Sequence, residues 1–330
     1  MQYDHPDIKF GKTGVLLINL GTPDSTSWWD IRKYLKEFLS DRRVIEVNPV
    51  VWQIILNLFI LTFRPSKTAH AYKKIWRKDN NESPLLYFTR NQAKKLNSKI
   101  GNENVIVDFA MRYGNPSIKS KLNSLKDLGC EKIIILPLYP QYAAATTATV
   151  CDEVYRSLME MRWQPSLQVI PHYESEPFYI DALKKSIEKK IASINWKPDL
   201  IISSYHGIPK KYFDKGDPYH CYCHKTTRLI KEKYKSINIE TTFQSRFGPQ
   251  EWLTPYTDKT LENLPKKGIK KVLVICPGFA SDCVETLEEI NIQGRDSFLS
   301  QGGENFDLIP CLNDSSDHIV LFEKLVTKYI

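Results

Sequence analysis

The chain has 330 residues, of which 42% are hydrophobic and 25% charged, and it carries a formal net charge of +8. That length exceeds one ordinary core and fits two domains of moderate size, and the balance excludes a disordered or low-complexity chain. Seven cysteines, an odd number scattered along the sequence, speak against a disulfide framework and for a reducing, cytoplasmic setting.

Met1 to Lys12 lacks the apolar core of an export signal, so none is expected. Gly14–Leu20 (GVLLINL) reads as a buried strand and Trp29–Leu39 as a helix. Val50 to Phe63 (VVWQIILNLFILTF) is nearly all apolar, interrupted by Gln53 and Asn57. It falls short of the roughly 20 residues a bilayer span needs, so no transmembrane helix is expected. Read from the residues alone, the run is either a buried core helix or an apolar lip at a cleft. Helix Phe88–Lys99, strand Val105–Asp108, helix Ile118–Leu128 and strand Lys132–Leu136 follow, with the first set of strands ending near Pro140. Pro165 to Phe178, with three prolines, reads as a lobe junction, giving lobes 1–172 and 173–330. The second lobe then reads as helix Phe178–Ile191, strand Leu200–Ser204, helix Thr226–Lys235, strands Thr241–Gln244 and Lys271–Cys276, helix Leu287–Leu299 and a last helix over Ser316–Tyr329.

The strand runs lack polar alternation and are separated by helix-length segments, the pattern of buried parallel strands in βαβ units. The fold class expected is α/β, with two similar doubly wound, Rossmann-like lobes whose parallel sheets face a shared cleft. The positive charge lies in helical lysine sets such as Lys184, Lys185, Lys189 and Lys190, without interleaved aromatics. Solvated helix faces explain it best, weak attraction to an anionic membrane comes second, and nucleic acid is not expected as a partner. There is no phosphate-binding Gly-x-x-x-x-Gly-Lys-Ser/Thr, and Gly21-Thr22-Pro23 replaces the glycine fingerprint of a dinucleotide site.

Two segments after second-lobe strands carry unusual polar residues. His206, in Ser203–Pro209 (SSYHGIP), is either a base or metal ligand at a cleft mouth or a turn residue bonded to backbone. If a helix starts near Ser281, then Asp282, Glu285 and Glu289 stand at i, i+3 and i+7, one carboxylate ridge suited to protons or a hard cation. A solvated helix start is the plainer alternative.

Nine segments together resemble the ferrochelatase family of bacterial type: INLGTP (Ile18–Pro23), FRPSKTAHAY (Phe63–Tyr72), ESPLL (Glu82–Leu86), MRYGNP (Met111–Pro116), PLYPQYAAATT (Pro137–Thr147), SYHGIP (Ser204–Pro209), KGDPY (Lys215–Tyr219), FGPQEWLTP (Phe247–Pro255) and SDCVETLEEI (Ser281–Ile290). They run in family order from Gly14 to the end of the chain. The resemblance implies a lyase that inserts Fe²⁺ into protoporphyrin IX to give protohaem, releasing two protons, the terminal step of haem biosynthesis. It implies His206 and Glu285 as the catalytic and metal-handling pair, with Asp282 and Glu289 as accessory carboxylates. It places Arg64 and Arg112 in the cleft, where a guanidinium can pair with a propionate, and Leu20, Tyr72, Tyr139 and Trp252 as walls of the porphyrin cleft. Leu35, Leu39, Val44 and the Val50–Phe63 run become the lip, with peripheral membrane contact at the inner face as a possibility.

Departures carry expectations of their own. Cys283 stands where many relatives have His, so any duty of that imidazole is dropped or passes to a thiol. Fe²⁺ and porphyrin are expected as substrates and no cofactor is required. A [2Fe–2S] cluster is not expected, because no cysteine-bearing extension follows Ile330. His220-Cys221-Tyr222-Cys223-His224 lacks a second pair at zinc-site spacing and reads mainly as the approach to a helix. His5, His70, His172 and His318 read as surface or packing residues. The competing readings are a chelatase for coproporphyrin or a sirohydrochlorin-like ring, and a non-catalytic tetrapyrrole or metal carrier.

Overall fold

The computed structural model describes residues 9–330. His5 and most of the leader-free segment expected at Met1–Lys12 lie outside it. Among the described residues eight strands form two four-stranded parallel sheets. β1 (Lys12–Thr22), β2 (Val105–Gly114), β3 (Cys130–Pro137) and β4 (Ser166–Val169) pair in the order 2-1-3-4. β5 (Leu200–His206), β6 (Ile239–Gln244), β7 (Lys271–Ile275) and β8 (Asn305–Ile309) pair in the order 6-5-7-8. The two sheets therefore share one topology, with the first strand of each set second in order.

Helices cover both sheets. In the first lobe they are α1 (Trp28–Ser40), α2 (Pro49–Ile55), α3 (Leu61–Ile75), α4 (Pro84–Ile100), α5 (Ile118–Asp127) and α6 (Thr149–Met159). Then come α7 (Pro177–Ser193), α8 (Lys210–Asp214), α9 (Tyr219–Lys233), α10 (Thr257–Asn263), α11 (Arg295–Ser300) and α12 (Ser316–Val326). Three π-helical stretches, Leu56–Ile60, Ala144–Ala148 and Glu285–Gly294, interrupt this pattern. Such bulges are frequent at functional sites.

The four central strands expected are all present, because β1, β3, β5 and β7 are saturated with Val, Ile and Leu and buried on both faces. The first set of strands does not end near Pro140. The edge strand β4 adds to the first sheet inside the proline-rich junction. Its four residues are half exposed and give no apolar run, and β8 likewise hides behind Asp307. The helix over 226–235 begins seven residues earlier, at Tyr219.

A single core joins the lobes. Val15, Leu17 and Ile134 of the first sheet and Ile201, Leu273 and Ile275 of the second share a cluster with Tyr179, Leu183, Leu321 and Phe322 from α7 and α12. The last helix thus closes the gap between sheets, a docking place the sequence does not reveal. Gln92 of α4 donates to Ala280 O (3.0 Å) and Asn313 O (2.9 Å), locking the first lobe to loops of the second.

The lip differs from expectation in length. α2, the π turn and α3 run on as one helix, Pro49–Ile75, 27 residues long and apolar enough to cross a membrane by length and composition alone. The helical wind does not stop where the apolar run stops, and the second half carries Arg64, Lys67, Lys73 and Lys74. Leu56, Leu61, Ala69 and Tyr72 pack against Ile31, Tyr34 and Leu35 of α1. The opposite face is bare, with Leu58 63% and Phe63 73% exposed.

β1 ends on a conformation that only glycine tolerates. Gly21 has φ +113, and a Cβ there would lie 1.8 Å from Tyr113 O. Gly21→Ala is expected to cost about 3 kcal/mol or more in denaturant unfolding, from strain and backbone collision together. Gly11→Ala, with φ +90 but nothing within 4 Å, is expected to cost only about 1 kcal/mol. Equal losses in both would rule out the collision.

Candidate active site

The site lies where ligands of open α/β sheets bind, at the carboxyl ends of strands. His206 is the last residue of β5, opposite Gln244, the last of β6. The chain turns at Gly207 because a Cβ there would press on Gln244 O at 3.0 Å and Trp252 Cε3 at 3.2 Å. The His206 ring lies with Nδ1 2.6 Å from Gly207 O. A carbonyl only accepts, so Nδ1 carries a proton, and the tautomer this bond selects has its lone pair on Nε2. The two alternatives left by the sequence are therefore compatible, since the backbone bond fixes a tautomer suited to accepting a proton or binding a metal.

Glu285 and Glu289 come from the other side. The helix after β7 starts at Val284, not Ser281, and winds as π from Glu285 to Gly294. Gln244 Nε2 donates to Glu285 O at 2.8 Å. Ser245, a non-glycine residue with φ +64, gives Glu289 both its N–H (2.7 Å) and its hydroxyl (2.5 Å). Backbone strain of this kind clusters at functional sites. Burial raises the Glu289 pKa; Ser245 and the nearby His206 oppose the rise, and Glu285 adds to it. Glu285 also faces the first lobe: burial pushes the Tyr34 and Tyr72 hydroxyls up, and the Glu285 charge adds to the shift on both. His206, Glu285, Glu289 and Tyr72 thus gather at one place.

Asp282 does not join that ridge. It precedes the first helical turn, and its carboxylate accepts from Asn313 Nδ2 (2.7 Å), Cys311 N (3.2 Å) and Thr286 Oγ1 (3.1 Å). It spends its oxygens tying the helix start to the loop before α12. Cys283 is buried beside Leu85 and Met111. Burial first, then the Glu285 charge, pushes its thiol pKa well up, so it stays a neutral thiol and takes over no imidazole duty as a thiolate.

The two arginines differ. Arg112 is 8% exposed and already neutralised: Nη2 donates to Asp41 Oδ2 (2.5 Å), Nε to Thr149 O (2.8 Å), and Tyr113 Oη also donates to Asp41 (2.9 Å). A propionate there would have to displace Asp41, so the structure assigns Arg112 to holding the end of α1. Arg64 lies over the Phe247 ring at 4.3 Å, with a buried Nη1 that has no partner among the described residues. Burial lowers its pKa, yet a guanidinium stays charged.

Leu20 bridges the core of the first sheet and the lip cluster, while Tyr72 and Tyr139 are 6% and 9% exposed. Trp252 donates Nε1 to Phe247 O at 3.0 Å and pairs with Pro209. Gln244, Ser245, Asp41 and Tyr34 are site residues that sequence reasoning missed. Only the position of Gln244 at a strand end offered a signal. Among the described residues no group of three His, Cys, Asp or Glu side chains is poised around a metal.

Burial raises the folded-state pKa of Glu289 above its unfolded value near 4.3, so its contribution to stability is present below that pH and lost as pH rises through the folded pKa. Glu289→Gln, which does not titrate, is expected to become progressively more stable relative to the parent between about pH 4 and 7. Denaturant unfolding across that range checks it; a constant difference would show that Glu289 titrates normally.

The profile of the ferrochelatase family matches residues 12–330. Curated relatives described as ferrochelatase include one from Allorhizobium ampelinum, 55% identical over 98% of this chain and 95% of its own. Another, from Francisella tularensis subsp. novicida, is 52% identical over 98% and 97%. Among solved structures, SirB from Bacillus subtilis with Fe³⁺ superposes with a TM-score of 0.59 at 11% identity, covering 96% of this chain and 95% of that one. CbiX, described as the terminal enzyme for biosynthesis of siroheme in denitrifying bacteria, gives a TM-score of 0.52 at 10% identity over 96% and 99%. At such identities these two structures show the fold alone. The chain belongs to the ferrochelatase family, the lyases that insert Fe²⁺ into protoporphyrin in haem biosynthesis.

Proposed function

We propose that His206 and Glu285 carry the insertion, with Fe²⁺ and porphyrin as substrates and no resident cofactor. The carrying observation is the fixed tautomer of His206, whose Nδ1 bond to Gly207 O leaves Nε2 free beside the carboxylates. Two N–H protons leave the macrocycle as Fe²⁺ sheds water and enters. An imidazole nitrogen and a carboxylate supply one base and one N/O handle for the metal. Glu289, clasped by Ser245, takes protons onward from Glu285, and its raised pKa suits a carboxyl that must hold a proton in passing. Asp282 supports this row by fixing the start of the helix.

Arg64 is our propionate partner, because its buried Nη1 has no other acceptor. Leu20, Tyr72, Tyr139 and Trp252 wall the ring. The near-complete burial of Tyr72 and Tyr139 means that porphyrin enters by displacement of the lip helix rather than through an open mouth. The bare face of Val50, Leu58, Phe59 and Phe63 fits an apolar lip resting on the cytoplasmic face of a membrane while receiving a poorly soluble ring. We place nucleic acid outside its partners. We divide the chain at 172/173, a division supported by the separate sheets and crossed by α12, which packs on both α4 and α7.

Anaerobic turnover of protoporphyrin IX with Fe²⁺, or Zn²⁺ as surrogate, is expected to fall at least about 100-fold in His206→Ala and in Glu285→Gln, with porphyrin binding retained. Porphyrin binding without turnover in the parent would leave a carrier. Arg64→Met is expected to raise the KM for protoporphyrin about tenfold, the weight of one charge-assisted pair, with kcat retained. A porphyrin dimethyl ester, lacking the carboxylates, should be indifferent to that change, and equal sensitivity would remove Arg64 from propionate binding.

A further inference from the structure

The segment His220–His224 is left unused by the insertion chemistry. Because α9 begins at Tyr219, His220 and His224 stand at i and i+4, one above the other on one helix face. Their ring centroids are 4.4 Å apart. Phe243 of β6 flanks both, at 5.8 and 6.0 Å, and Phe213 backs His220 at 5.1 Å. Burial among these groups lowers the pKa of both imidazoles, and each ring is neutral with a free lone pair near pH 7. Cys223 is buried and bonded to Tyr219, and exposed Cys221 falls about 100° around the helix from His220.

His224 opens on a surface groove of ≈ 630 Å³ that also reaches Glu240 and Thr227. With no third His, Cys, Asp or Glu completing a cluster among the described residues, a closed four-ligand site is excluded. What remains is a two-imidazole chelate with room for water. It is distinct from the insertion site, since successive strand side chains point to opposite faces and the rings pack on Phe243, whereas Gln244 holds Glu285.

We propose that His220 and His224 form a second, exchangeable site for a borderline divalent transition metal of the Cu²⁺, Ni²⁺ and Zn²⁺ class. Two nitrogen donors favour these ions over Fe²⁺ and exclude Mg²⁺. The site holds metal without inserting it.

The test uses the full chain carrying His206→Ala, which silences the insertion imidazole. Zn²⁺ and Cu²⁺ are titrated against a chromophoric chelator, and Cu²⁺ is examined by EPR for nitrogen ligands. His220→Ala with His224→Ala is expected to remove one equivalent of bound metal. Either single change should weaken that equivalent at least tenfold, and a large excess of Mg²⁺ should displace nothing. Cys221→Ser should bind as before. In the chain with His206 intact, the double variant should keep the parent's melting temperature and its turnover at saturating metal. Unchanged stoichiometry and affinity in the double variant would overturn the proposal, as would an EPR spectrum with one nitrogen or loss of the site in Cys221→Ser.

Discussion

One buried amide holds the site together. Gln244 accepts from Ser204 Oγ at 2.7 Å through Oε1, donates from Nε2 to Glu285 O at 2.8 Å, and its own carbonyl accepts from Gly207 N at 2.7 Å. These bonds join the ends of β5 and β6 to the first turn of the helix after β7. The position of His206 relative to Glu285 therefore depends on the register of two strands and one side chain. A buried amide left half satisfied costs about 1–3 kcal/mol, so Gln244 is fixed, and it fixes the carboxylates and the imidazole that surround it. The π wind of Glu285–Gly294 fits the same constraint. Within it the Glu285 carbonyl accepts from Gln244 and the Glu289 carboxylate is held by both donors of Ser245.

The union of the two lobes has a consequence for how substrate gets in. With the sheets sharing a core through α7 and α12, and Gln92 bonded across the junction, rigid-body opening would expose apolar surface at about 25 cal/mol per Å². The helix Pro49–Ile75 is packed on one face only. Its inner face packs on α1, its outer face is bare, and its leading loop is tied by Tyr212 Oη to Val44 O and Glu46 N, both at 3.1 Å. We propose that movement of this helix admits the apolar ring.

Charge placement separates structure from recognition. Arg112 and Asp41 form a buried pair with Tyr113 as a third member, so their charges cancel inside the first lobe. Glu288 is likewise consumed by Lys74 at 2.9 Å and Gln293 at 2.6 Å. Among the described residues Arg64 keeps a buried nitrogen without a hydrogen-bond partner, whereas Arg112 does not. An unspent buried donor is a standing cost, and a carboxylate ligand relieves it.

The sequence by itself determined the four central strands, the doubling of the lobe and the family. Strands buried on both faces must be written in Val, Ile and Leu, and nine motifs in register leave little freedom. The resemblance singled out His206, Glu285 and Glu289, where the residues alone left a turn residue and a solvated helix start as alternatives. Only the tertiary structure decided what each of them touches. The edge strands β4 and β8 pair on one side and so need little apolar content to declare them. Asp282 and Arg112 look in sequence like the residues we propose for insertion and propionate binding. They are distinguished by partners 29 and 71 residues away, Cys311 and Asp41, that no local pattern announces. The same holds for Ser245, whose left-handed backbone aims both its donors at Glu289. Hydrophobic periodicity is a local property and survives in the string of letters, whereas the saturation of a buried charge is settled by contacts across the fold.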